Sequence, residues 1–438
     1  MPSSSGATGP RRATRSAEAR ATSRTVAIEA VRRVADDGAY SNLVLPALLD
    51  RSGLDARDRD LAAELTYGTL RRMPGLDAAL AGLVERPLAD APSRARAAMR
   101  VGAYQLLFTR IPDHAAVGET VGAVVKSERG FVNAVLRRLS ANAGDARASV
   151  ESVPPIVPWA MDELRRLLGD EAEAAAAALA EPAGLTLRTN PCRAEAGALA
   201  AALRDAGHAP EPGRLHVGTV RLAGGRPSEL PGYGEGWFAV QDEASSWVVD
   251  VLDPQPGERV LDAAAGPGGK AADIACRAGS VVAADAALHR VSLIGATARR
   301  LGVRALLLAQ DAGRPALSGG FDRVLLDAPC SGLGSARRRP ELLWRPQKEA
   351  LSALARLQVR LAVGAAGLVR EGGVFVYSVC TFPRAETDAV CRALLAKVPG
   401  LEPFPFASPD GEEVSAARLW PHRHGTDAMF VARFRRSP

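Results

Sequence analysis

From Thr22 to Ser140 the apolar residues recur every three or four positions, as at Val26, Ala30 and Val34, at Leu61 and Leu65, and at Val101, Tyr104 and Phe108. That spacing puts one apolar stripe on each helix, and strand-like alternation is absent, so the region is predicted to be an all-helical bundle. Turns are expected at Asp36-Asp37-Gly38, Met73-Pro74-Gly75 and Ile111-Pro112-Asp113, and helix caps at Ser93 and Ser127. Near residue 150 the texture changes with Pro154, Pro155 and Pro158. Residues 185–189 then read as a strand, 194–206 as a helix and 216–222 as a strand, which predicts a small α+β insert ending by about Gly236.

Beyond the insert, short apolar runs alternate with longer helical stretches: 259–262, 281–285, 305–311, 323–327 and 374–379. This rhythm predicts an α/β domain with a doubly wound sheet. Ligands of such sheets bind beyond the carboxyl ends of the strands, where side chains converge on an open crevice. The expected organisation is a tail over 1–21, a helical domain over 22–145, a linker helix with a small α+β domain over 146–236, and the α/β domain over 237–438.

A chain of 438 residues is too long for one ordinary domain, and no run of eighteen apolar residues suggests a membrane segment. The net charge of +6 favours a polyanionic partner. It fits an arginine-rich coding bias equally well, since lysine occurs only at Lys126, Lys270, Lys348 and Lys397. Five cysteines without a C-x-x-C pair argue against a disulfide scaffold or a zinc ribbon and suit a reducing, cytoplasmic compartment, so any special cysteine is expected to be chemical. The first 24 residues hold five arginines, one acid (Glu18) and no apolar core of a secretory signal, and are expected to be disordered. An RNA-touching tail, an inert tail and an organellar transit peptide all share that composition.

The first strand of the α/β domain runs into Asp262-Ala-Ala264-Ala265-Gly266-Pro267-Gly268-Gly269-Lys270. Glycines at such a turn let backbone approach a ligand and leave amide donors at the next helix end. The run fits G-x-G-x-x-A, and Asp285 lies 19 residues beyond Gly266, which also suits a nicotinamide dehydrogenase. A Walker loop fits worse, because Ala264 and Ala271 stand where it needs glycine and Ser or Thr. Asp285 and Asp311, at the ends of the second and third strands, are candidates to hold the ribose and adenine sides of an adenosyl group, or simply to cap helices. Cys330 and Cys380 follow the fourth and fifth apolar runs rather than lying within them, so both are expected to face the same crevice. The six histidines lack metal-ligand spacing; His422 with His424 reads as a turn, and no metal is expected.

The runs Gln241-Asp-Glu-Ala-Ser245, Pro256-Gly-Glu-Arg-Val-Leu-Asp262, Pro267-Gly-Gly-Lys270, Asp327-Ala-Pro-Cys330-Ser-Gly, Ser378-Val-Cys380-Thr and His424-Gly-Thr-Asp427 together resemble the Sun family of RNA cytosine-5 methyltransferases. Phe131-Val-Asn-Ala-Val-Leu-Arg-Arg-Leu139 looks like part of the NusB-type RNA-binding domain at the front of the RsmB branch of that family. The resemblance implies a Rossmann-like methyltransferase domain behind a NusB-like helical one, with S-adenosylmethionine as cofactor. It also implies 16S ribosomal RNA, or an early small-subunit assembly intermediate, as partner, with no membrane and no obligate protein partner. It further implies that Cys380 is the nucleophile, that Cys330 aids product release, and that Asp327 and Lys270 attend the base. Residues 264–270, Asp285, Arg290, Asp311 and Asp327 would hold the cofactor.

Arg337-Arg338-Arg339 and Arg345 are expected either to hold RNA phosphates or to form a solvated loop, and Trp344 to stack or to pack. The chain departs from the family at Ala264, Gly266 and Ala271, around Pro383 and Thr387, and at Ala428-Met429, none of which removes a reacting group. Two other readings are a methyltransferase of another RNA, such as transfer RNA, and a non-catalytic RNA-binding protein.

Overall fold

The computed structural model describes residues 21–438, so the expected tail lies outside the described residues apart from Ala21. The chain divides into two compact units, Met1–Ser152 and Val153–Pro438. Among the described residues no helix is long and apolar enough to cross a membrane.

The first unit is all-helical, with α1 (Ser23–Asp36), α2 (Ser41–Ser52), α3 (Ala56–Arg71), α4 (Met73–Ala81), α5 (Ser93–Phe108), α6 (Asp113–Gly122), α7 (Lys126–Ala141) and α8 (Ala143–Ser152). α5 is buried on nearly every side and serves as the central helix. Its small residues let neighbours close in: a Cβ at Gly102 would lie 2.5 Å from Leu136 Cδ1. Thr22 caps α1 through a reciprocal pair of bonds with Thr25. The expected caps at Ser93 and Ser127 are not made, because both residues already lie inside their helices; the Ser93 hydroxyl instead donates to Asp36. The boundary expected at 145 falls within α8, whose Val150 packs on Gly75 of α4.

The second unit opens with α9 (Pro158–Leu168) and α10 (Ala172–Ala180), then β1 (Leu185–Thr189), α11 (Ala196–Asp205), β2 (Glu211–Pro212), β3 (Thr219–Leu222) and β4 (Phe238–Val240). These strands form an antiparallel sheet in the order β2-β3-β1-β4, and Leu199 and Leu203 of α11 pack with Leu187, Val220 and Phe238. The insert therefore runs past its expected end near Gly236, since β4 pairs with β1 and Phe238 completes the core.

Next come α12 (Glu243–Leu252), β5 (Val260–Asp262), α13 (Gly269–Ala278), β6 (Val281–Asp285), α14 (Leu288–Leu301), β7 (Ala305–Ala309), β8 (Phe321–Asp327), α15 (Ala350–Ala366), β9 (Val369–Val379) and α16 (Asp388–Lys397). The chain closes with β10 (Leu401–Pro403), β11 (Phe406–Ala407), β12 (Glu413–Val414), β13 (Ala416–Leu419), α17 (Pro421–His424) and β14 (Met429–Arg436). The large sheet has the order β10-β14-β9-β8-β5-β6-β7, with β13 beside β14. β7, β6, β5, β8 and β9 are parallel, whereas β14 is antiparallel to β9. Alternate residues feed two cores: Val324, Leu326, Phe375 and Tyr377 pack on one face, and Leu325, Val374 and Val376 on the other. Burial on both faces explains why these strands read as continuous apolar runs. The chain winds outward from β5 through β6 to β7, then returns to β8 on the other side of β5. That reversal makes the carboxyl ends of β5 and β8 a topological switch point.

Candidate active site

Parallel pairing of β8 with β9 sets Asp327 opposite Ser378, so the segments that follow both strands emerge at one edge of the sheet. The Cys330 and Cys380 sulfurs lie 3.5 Å apart, in hydrogen-bond contact. One proton shared between them, with Lys270 and Arg339 adding positive charge, pushes the Cys380 thiol below its ordinary range. The same bond, together with burial and the nearby Glu386 and Asp327 carboxylates, pushes Cys330 well up. The pair therefore titrates as one, with a single proton shared between the two sulfurs. Cys391 is the remaining free thiol; burial pushes it up to about 12.

Lys270, in the first turn of α13, donates to Asp327 Oδ2 at 2.7 Å, and Ser378 Oγ donates to Asp327 Oδ1 at 2.8 Å. Burial works against the ammonium, but Asp327 outweighs it and raises the Lys270 pKa. Asp262, fully buried at the end of β5, is pushed up to about 7 by desolvation in spite of Lys270.

Glu386 is completely buried and links the two cysteine-bearing segments. Its carboxylate accepts from Ser331 N at 2.8 Å, from the Ser331 hydroxyl and from Gln358 Nε2 at 2.9 Å, while its backbone carbonyl accepts from Tyr377. Gln358 also donates to the Pro329 carbonyl.

At the end of β5 the chain makes a cis bond between Gly266 and Pro267, then passes through Gly268 at φ 109° into α13. Asp285 Oδ2 accepts from Gly266 N at 3.2 Å and faces Arg290 at 3.5 Å. A Cβ at Gly266 would meet Asp285 Oδ2 at 2.7 Å, and one at Gly268 would meet Ile294 Cα at 3.0 Å. At Gly268 the left-handed backbone and the tight approach to α14 call for glycine. Residues 264–270, Asp285 and Arg290 are thus brought together. Asp311, at the end of the neighbouring β7 edge, is half-exposed and paired with Arg360 at 2.7 Å.

Matches to family descriptions run in order along the chain: NusB family over residues 21–141, the RsmF/B-like methyltransferase ferredoxin-like domain over 158–229, and 16S rRNA methyltransferase RsmB/F over 249–435. A putative methyltransferase of Mycobacterium tuberculosis is 40% identical over 452 residues, spanning 94% of this chain and 96% of its own. The ribosomal RNA small subunit methyltransferase B of Pseudomonas putida is 34% identical over 431 residues, spanning 94% and 97%. The chain belongs to the RsmB/F family of ribosomal RNA methyltransferases. In crystal structures, PH0851 matches with a TM-score of 0.80 at 23% identity over 94% of this chain and 98% of its own, which shows a shared fold. A methyltransferase homolog from Pyrococcus horikoshii matches with a TM-score of 0.54 at 27% identity over 63% of this chain and 93% of its own.

As a member of the RsmB/F family, the chain is an RNA methyltransferase that uses S-adenosylmethionine. The turn fits that cofactor, since it sets backbone N–H groups at the start of α13 beside the Asp285 carboxylate, the donors and acceptor an adenosyl group needs.

The family segment after Cys330 differs from its sequence-level reading. Arg338 pairs with Asp242 at 2.8 Å and Asp427 at 3.4 Å, so its charge is used inside the protein and does not face RNA phosphate. Arg337 donates to the Gly425 carbonyl at 2.7 Å, and Trp344 packs in the cluster around Phe382 and Trp420, with Arg345 over its ring. These contacts continue to the Cys380 backbone: Asp427 N donates to Asp242, Ala428 N to Gly334 O, and Gly334 N to Cys380 O at 3.0 Å. Ala428 and Met429 are buried, and His424 Nδ1 accepts from Trp420 N within a turn. A disulfide between Cys192 and Cys276 corrects the expectation that special cysteines here are chemical. The two are 84 residues apart in sequence, and only the packing of the insert on α13 brings their Cα atoms to 5.8 Å.

Proposed function

We propose that this enzyme methylates carbon 5 of a cytosine in 16S ribosomal RNA through a covalent bond between Cys380 and the base, acting in the cytoplasm on the free RNA or an early small-subunit particle. The observation that carries the proposal is the pair of sulfurs 3.5 Å apart beside the Lys270–Asp327 ion pair. Cytosine carbon 5 is a weak nucleophile, so the base needs activation before it can accept a methyl group. The Cys380 thiolate adds to carbon 6, and the ring becomes enamine-like at carbon 5. Asp327, held by Lys270 and Ser378, is aimed to bond the ring nitrogen or amino group and stabilise the charge shift. Residues 264–270, Asp285 and Arg290, bordered by Asp311, would hold S-adenosylmethionine, which would supply an electrophilic methyl group to carbon 5 as its sulfonium–methyl bond breaks. Loss of the carbon-5 proton to a base, either the Cys330 thiolate or a group that Cys330 assists, then breaks the Cys380–carbon 6 bond, expels the Cys380 thiolate and restores the ring. A base must leave its stack to reach such a pocket, so the target is unpaired or easily flipped. The order of the NusB family match and the small-subunit methyltransferase relatives support the choice of RNA.

The test uses 16S RNA lacking the modification and a radiolabelled methyl donor. Wild type should incorporate label and Cys380→Ala none, while Cys330→Ala should accumulate a protein–RNA species stable on a denaturing gel. Trapping by Cys380→Ala instead would reverse the two roles, and absence of label with wild type on either naked RNA or particles would refute the activity.

A further inference from the structure

A cavity of about 490 Å³ opens between α9, the segment just beyond Cys380 and the first turns of α15 and α16. α15 leads into β9 and α16 follows it, so both helices start at the sheet end that carries the thiols. Pro383 and Arg384, in the wall of the cavity, come three and four residues after Cys380.

Five cations line the cavity against three carboxylates. The carboxylates are matched: Glu163 accepts from Arg384 at 3.0 Å and Arg166 at 3.2 Å, Asp388 is paired with Arg418, and Asp162 lies 3.6 Å from Arg165. The exposed side chains of Lys348 and Arg392 make no hydrogen bond or ion pair among the described residues. Trp159 forms part of the wall, oriented by its indole N–H, which donates to the Pro346 carbonyl at 3.2 Å. Surplus cationic charge beside a fixed aromatic ring is the chemistry that grips single-stranded nucleic acid, charge for phosphate and ring for ribose or base.

We propose that this cavity binds the backbone of the RNA nucleotides flanking the target base, with Lys348 and Arg392 on phosphate and Trp159 against the adjoining sugar or base. The inference rests on the proposed RNA methylation and adds the surface that holds the strand beside the flipped base. It also places the phosphate contacts away from Arg338, whose charge is already consumed.

The test compares the full-length wild type with K348A/R392A in binding to 16S transcript across a salt series, without S-adenosylmethionine. Loss of one or two phosphate contacts should lower the slope of log affinity against log salt by about 1, and binding at physiological salt by about tenfold. KM for the RNA should rise by a similar factor, K348R/R392K should restore the slope, and S-adenosylmethionine affinity should be unchanged, which verifies folding. A wild-type slope in K348A/R392A, or a loss that K348R/R392K does not restore, overturns the site. Because slopes are read without methyl transfer, an inactive wild type would refute the proposed reaction and leave this comparison intact.

Discussion

The ends of β5 and β9 lie in one crevice and are built on opposite principles. At the β5 end the Gly266–Gly269 turn uses backbone, and closeness is what matters: a Cβ at Gly266 would press on the Asp285 and Arg290 side chains, and one at Gly268 on the α14 backbone. At the β9 end the side chains matter, with Cys330, Cys380, Ser331, Gln358 and Glu386 joined through hydrogen bonds. A backbone cradle tolerates changes of side chain and resists changes of conformation. A network of buried polar side chains behaves the other way, because each truncation leaves a partner unsatisfied.

The sharpest break of this contrast is Glu386→Ala. It leaves the buried Ser331 N–H and one Gln358 amide N–H without their acceptor, and should cost about 3 kcal/mol of stability in denaturant unfolding. Methyl transfer should fall more than the stability loss explains, since both cysteine segments lose their tie; wild-type stability would mean water replaces the carboxylate. Gly268→Ala should strain a left-handed turn by about 1–3 kcal/mol and weaken S-adenosylmethionine binding by roughly ten- to a hundredfold in calorimetry, with RNA affinity intact. Unchanged cofactor affinity would show that the cradle is not the binding surface.

Lys270→Met tests the thiol end by pH. A cation near a thiolate lowers its pKa, so its removal should move the rising limb of the pH–rate profile to higher pH, by about one unit, with roughly tenfold less activity at neutral pH. A downward move would contradict thiolate chemistry at Cys380. The smallest effect is expected for Ala264→Cys, which restores the usual family residue and should change cofactor affinity by less than about twofold, within the ±0.5 kcal/mol typical of uncritical sites.

Much of the site was legible because it is local. The strands at 185–189 and 281–285 have the expected bounds, since alternating or continuous apolar runs report burial of one or both faces. The glycine turn and the two strand-terminal cysteines are equally local. Errors fall where a residue's partner is far along the chain: β4 pairs with β1 across some fifty residues, and Arg338 looks like a phosphate contact until Asp242 and Asp427 are beside it. Glu386 carries no local signal of its role, which comes from Ser331 at a separation of 55 residues.

Taken alone, the amino-acid order located the carboxyl ends of β5, β6, β8 and β9, with a glycine turn, two thiols and two or three carboxylates at or just beyond them, but not β4 or the strands after β9. Periodicity and turn chemistry act over a few residues, so they are encoded where they occur. Only the tertiary structure decided that β8 lies between β5 and β9, and with that the contact between Cys330 and Cys380, the pairing of Lys270 with Asp327 and the consumption of Arg338 by its two carboxylates. Strand order and ion-pair choice depend on how whole faces pack against each other, a free energy summed over distant residues.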